Sequence, residues 1–153
     1  MSKTSLSLIV IFNVLLGLRC IANTPDLQVE VFSGKAASVN SFIFFDGQGS
    51  IIVDATRSSK DALEVAKIAR GHGTEPGIIF ITHGHPDHYL GMGTLKKEFP
   101  NVKFYVASQE IKDDIIGFSN LAAQNNWLSD EPLMRLLLPT SRSQSPRWRG
   151  LFF

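Results

Sequence analysis

Apolar residues alternate with polar neighbours at Leu27, Val29 and Val31, a period of two that predicts a β-strand. Residues 39–45 (VNSFIFF) and 50–53 (SIIV) are apolar runs on either side of Asp46-Gly47-Gln48-Gly49, and that arrangement predicts a hairpin. The period then changes. Ala62, Val65, Ala66 and Ala69 fall on one helical face, Ser58 or Ser59 can cap the start, and Gly71 or Gly73 can end it. Pro76-Gly77 opens residues 78–82 (IIFIT), a continuous apolar run expected of a strand covered on both faces. Residues 90–99 predict a short helix stopped by Pro100, and Val102, Phe104 and Val106 alternate as a further strand. Ser108 with residues 110–116 begins another helix. The order strand, strand, strand, helix, strand, helix, strand, helix predicts an α/β (α+β) layer, a mixed sheet with flanking helices.

The two ends do not share this pattern. Lys3 precedes an uncharged run at residues 5–18 (SLSLIVIFNVLLGL), shorter than a bilayer span and suited to a secretory signal. Small residues favour cleavage after Ala22, which would remove Cys20, the one cysteine, and begin the mature chain near Asn23 in the periplasm or outside the cell. Lipidation at Cys20 and an uncleaved anchor are the rival readings. Residues 140–153 (TSRSQSPRWRGLFF) hold three arginines and no acid, and read as a disordered basic tail or as a reading frame interrupted near Leu138. The formal net charge is +1, but residues 23–139 carry 10 basic against 14 acidic side chains and are mildly acidic. Nothing in this balance suggests a nucleic-acid partner, and after cleavage no membrane partner is expected. With 153 residues, 44% of them hydrophobic, the chain can build one core and no more.

The chemistry is concentrated after the strand at 78–82. His83-Gly84-His85-Pro86-Asp87-His88 places three of the four histidines and a carboxylate within six residues. Imidazole nitrogens and carboxylate oxygens suit zinc and similar divalent ions. At a strand end His83 and His85 are expected on one side, and Gly84 and Pro86 allow a turn that lets Asp87 and His88 face a second point. His72, between Gly71 and Gly73, reads as a solvent-facing helix terminus. Asp113, Asp114, Asp130 and Glu131 read as solvated charges, and Trp127 with residues 133–138 (LMRLLL) as packing residues.

The segment ITHGHPDHYLGM, with the SIIVDA strand and helix before it, resembles the His-x-His-x-Asp-His signature of the metallo-β-lactamase fold. The resemblance covers about residues 27–138 and implies the first half of an αββα sandwich. It implies that His83 and His85 bind a first zinc, that Asp87 and His88 bind a second, and that Asp87 orients the metal-bound hydroxide. Asp54 would be a buried supporting residue; a strand-end acid capping its own turn is the other reading. The activity implied is hydrolysis of an ester, lactam, lactone, thioester or phosphoester. The pattern also asks for downstream ligands, including two further histidines, and no histidine follows His88. The chain alone is therefore expected to hold one zinc weakly, and a catalytically inactive remnant or weak metal binder is the alternative to an exported hydrolase. Without a second half, an apolar face is expected to be exposed and to favour self-association.

Overall fold

A computed structural model describes residues 26–129. The expected leader at 1–22, the apolar stretch at 133–138, Asp130, Glu131 and the basic tail at 140–153 lie outside the described residues. The strands are β1 (Gln28–Ser33), β2 (Asn40–Phe45), β3 (Ser50–Val53), β4 (Pro76–Ile81) and β5 (Lys103–Val106), and the helices are α1 (Ser59–Gly71), α2 (Pro86–Tyr89), α3 (Met92–Glu98) and α4 (Gln109–Gln124). One five-stranded sheet runs in the order β1-β2-β3-β4-β5, antiparallel over the first three strands and parallel over the last three. The switch follows from the connections: a tight turn joins β2 to β3, whereas α1 carries the chain back from β3 to β4.

The register aligns Ile43, Ile52, Ile79 and Phe104 in one row across four strands, and all four are fully buried. They share a core with Ala62, Val65, Ala66 and Ala69 of α1, the face that its period of three and four predicts. Each isoleucine removed from water there contributes about 1.5–3 kcal/mol before chain entropy is counted. Ser58 caps α1 by accepting a hydrogen bond from Asp61 N–H at 3.1 Å. Asp61, itself buried, accepts from the backbone N–H groups of Lys35 and Ala36 and fastens the helix start to the β1–β2 loop. In the hairpin, Asp46 Oδ1 accepts from Gln48 N–H and Gly49 N–H, and Gly47 takes the left-handed φ of +81° that the turn needs.

Several expectations need correction. The strand at 78–82 begins at Pro76, ends at Ile81 and is not covered on both faces: Ile79 and Ile81 are buried, while Ile78 and Phe80 on the opposite face are half-exposed. The same outer face carries Val29 and Ile51, both exposed, so among the described residues this sheet has helices on one side only. The helix expected over 90–99 is α3, Met92–Glu98, but a separate four-residue helix, α2, precedes it within the histidine segment, with Gly91 at the break between the two. The helix expected to begin at Ser108 does so, and it runs to Gln124. Trp127 is exposed rather than packed, and Leu128 takes the buried position beside it. His72 does cap a helix end, yet its ring stacks on Phe45 with centroids 3.5 Å apart and its Nε2 lies 2.8 Å from Glu30 Oε2, so it is not simply solvated. Among the described residues no helix is long and apolar enough to cross a membrane.

Candidate functional site

The carboxyl ends of β3 and β4 lie side by side, tied by Asp54 N–H donating to Phe80 O at 2.8 Å. Chemistry collects at such strand ends in parallel sheets, because loops leave there without disturbing the ladder. Leaving β3, the chain places Asp54 and Thr56 in the left-handed region, with φ of +65° and +66°. For a β-branched threonine that conformation is unusual and costs about 1–3 kcal/mol, and it persists only where neighbours fix it. The neighbours are the histidine segment. Ala55 N–H donates to His88 O at 2.6 Å, and Gly91 N–H donates to Thr56 O at 3.1 Å. Gly91 has no room for a side chain, since a Cβ there would collide with the Ala55 carbonyl and meet Ala62 Cβ at 2.9 Å.

Beyond β4 the motif does not form an extended turn. Pro86 begins α2, where its missing N–H is no loss, and one helical turn brings His88 back toward the strand end. There His88 Nδ1 meets Asp54 Oδ2 at 2.7 Å. Asp54, 4% exposed, also accepts from Thr82 N–H at 2.9 Å and from the Thr82 hydroxyl at 2.9–3.0 Å. It therefore supports the histidine segment and does not cap the turn that follows it. With Nδ1 of His88 held by a carboxylate, Nε2 is the nitrogen left to meet another group.

The His83 ring lies closer to His88, with centroids 3.9 Å apart, than to His85 at 4.7 Å. The cause is the helical turn at Pro86, which folds His88 back against the strand end. His83 is half-buried, and its pKa is lowered from 6.5 first by burial and then by the neighbouring His88 and His85, with Asp54 and Asp87 opposing. Its neutral form, the one with a lone pair to give, is favoured at neutral pH. His85 is exposed at the cap of α2, and Asp87 is half-buried in the first turn of that helix.

A cleft of about 590 Å³ opens beside His83 and His85, and its far wall is α4 with Ile111, Asp113, Asp114 and Phe118. Asp113 and Asp114 are exposed, as expected, but they face the histidine segment. A Cβ on Gly84 would stand 2.8 Å from Asp114 Cβ, so the glycine lets α4 seat against the loop. The sequence reading missed Thr82, Gly91 and this acidic wall. Only Thr82 carried a visible signal, a hydroxyl between a strand end and a histidine.

Zinc fits this donor set in kind, through neutral imidazoles and a carboxylate, but not in number: among the described residues no group of three donors is arranged to hold a cation.

The profile of the metallo-beta-lactamase superfamily matches residues 34–112, more than half of the chain. The chain belongs to that superfamily. It is similar to hydroxyacylglutathione hydrolase 1 of Vibrio vulnificus (strain YJ016), 34% identical over 65 residues, which are 42% of this chain and 25% of that protein. Among solved structures it resembles the metallo-beta-lactamase of Hirschia baltica, with 18% identity, a TM-score of 0.47, and 60% of this chain and 42% of that one covered. It also resembles the BLEG-1 B3 metallo-beta-lactamase, with 17% identity, a TM-score of 0.47, and 54% and 38% covered. The chain thus spans from a quarter to about two fifths of the length of these relatives.

Proposed function

We propose that this chain carries the amino-terminal half of the site of an exported, metal-dependent hydrolase acting on an ester, lactam, lactone, thioester or phosphoester. The observation that carries the reading is the buried Asp54 carboxylate holding His88 by Nδ1 at 2.7 Å beside His83, at the mouth of a cleft. His83, His85, Asp87 and His88 would be the share of the metal ligands that this half contributes, the remainder coming from outside the described residues. When bound, a divalent cation supplies a water that ionises near neutral pH and polarises the oxygen under attack.

What the chain itself does is hold and orient. Asp54 fixes the His88 ring and, through Thr82 N–H, the backbone from which His83 projects. The Asp87 carboxylate, on the first turn of α2 and with no hydrogen-bond partner among the described residues, would orient an attacking water and pass a proton to the leaving group. The name of the Vibrio vulnificus relative favours a thioester among the candidate substrates. Export rests on residues 1–22 and is checked by finding Asn23 at the mature amino terminus.

The absence of a three-donor group among the described residues favours a second reading, a weak metal binder without turnover. Zinc titration by calorimetry, followed by a panel of one thioester, one β-lactam, one aryl ester and one phosphodiester, separates the two. Stoichiometric zinc and turnover that Asp87→Asn abolishes support the hydrolase; one weakly held zinc and no turnover support the binder.

A further inference from the structure

We propose that Thr82 is a positioning residue whose hydroxyl determines which nitrogen His83 presents to the cleft. Thr82 Oγ1 lies 3.0 Å from Asp54 Oδ1, 2.9 Å from Asp54 Oδ2 and 2.9 Å from His83 Nδ1. A hydroxyl has one proton to give, and a carboxylate can only accept. The Thr82 proton therefore goes to Asp54, and Oγ1 turns a lone pair toward His83. A lone pair facing Nδ1 requires that nitrogen to carry the hydrogen, which leaves Nε2 as the one with a lone pair.

The same carboxylate takes a hydrogen bond from His88 Nδ1 at 2.7 Å. One buried acid thus sets two imidazoles alike, His88 directly and His83 through Thr82, while their rings lie 3.9 Å apart. The His85 ring has no hydrogen-bond partner among the described residues and is left to either tautomer. Valine at position 82 would keep the branched shape and remove the relay, whereas serine would keep the relay and lose a methyl group.

The inference deepens the metal-site reading, but its test does not depend on it. Long-range proton–nitrogen correlation spectra of the metal-free, 15N-labelled full chain, recorded above the imidazole titration range, tell a protonated ring nitrogen from one with a lone pair. In the wild type, His83 and His88 are both expected to carry the hydrogen on Nδ1. Thr82→Val should shift His83 toward the other tautomer and leave His88 unchanged, and Thr82→Ser should restore the wild-type pattern. A wild-type His83 protonated on Nε2 would overturn the proposal, even if Thr82→Val fails to fold. So would a folded Thr82→Val chain with an unaltered His83. A parallel cobalt(II) titration reads the metal site separately: a loss of affinity of about 10-fold or more in Thr82→Val, recovered in Thr82→Ser, is expected of a group that orients a metal ligand. Wild-type tautomers as assigned without any cobalt binding would overturn the metal reading and leave the role of Thr82 in place.

Discussion

Replacing Asp54 with alanine removes the acceptor for three donors at once: Thr82 N–H, the Thr82 hydroxyl and His88 Nδ1. These losses are unequal. Thr82 is exposed, so its hydroxyl can turn to water at little cost. The His88 side chain is 19% exposed and recovers part of its hydration. The Thr82 N–H lies at the end of a ladder, and a hydrogen bond to a charged acceptor contributes about 1.5–3 kcal/mol. Alanine must also keep φ near +65°, where it lacks the tolerance of Asp and Asn, at a further cost of about 1 kcal/mol. The expected loss is about 3–5 kcal/mol, a large share of the 5–15 kcal/mol typical of a whole domain. Urea unfolding followed by far-UV circular dichroism measures it. Asp54→Gly separates the two causes, because glycine relieves the backbone and still lacks the acceptor; it should lie about 1 kcal/mol above alanine. Asp54→Asn keeps the shape and one acceptor oxygen, and should lose about 1–2 kcal/mol. An alanine variant within about 1 kcal/mol of wild type, or an asparagine variant as damaged as alanine, would refute the reasoning.

Gly91→Ala drives a methyl group into the Ala55 carbonyl and should cost about 3 kcal/mol or more, or prevent folding, as thermal unfolding would reveal; a change below about 1 kcal/mol would mean that the two segments are not clamped together. Ser58→Ala deletes the cap of α1 and should lower stability by about 1 kcal/mol in the same assay, with Ser58→Gly milder. Asp46 is held below the usual carboxylate range by the N–H groups of Gln48 and Gly49. Because its folded pKa is depressed, its contribution is present above the unfolded value and is lost as pH falls through the folded one. The melting temperatures of wild type and Asp46→Ala should therefore differ at about pH 7 and converge as the pH falls below the usual carboxylate range and through the folded pKa. A gap that persists in acid would assign the effect to the turn's shape and not to the charge.

Much of the fold was legible because each element carried its own period. The row Ile43, Ile52, Ile79 and Phe104 follows from alternation in four short segments, and the α1 face follows from Ala62, Val65, Ala66 and Ala69. What the sequence hid was set by tertiary contact. An apolar run such as IIFIT reads the same whether one face is covered or two, so the half-exposed Ile78 and Phe80 could not be told from Ile79 and Ile81. Trp127 fails for the opposite reason: an aromatic residue implies burial on average, and here Leu128 occupies the core instead.

The site divides along the same line. Residue type and spacing named His83, His85, Asp87 and His88, because ligand chemistry is local information. Their relative placement was not local. It depends on a left-handed turn at Asp54 and Thr56, which Asp only tolerates and β-branched Thr disfavours, and on the four-residue α2, too short to show a period. The turn and the helix sustain each other: Ala55 N–H and the Thr56 carbonyl bond the segment that Pro86 starts, and Asp54 receives the ring that the segment delivers. Neither piece is stable on its own terms, since isolated left-handed residues cost energy and a single helical turn does not hold in water. If that mutual dependence is real, Asp54→Ala and Gly91→Ala are not independent lesions. Their combined loss of stability should fall short of the sum of the single losses by at least about 0.5 kcal/mol, whereas strict additivity would mean that the turn and the helix form separately.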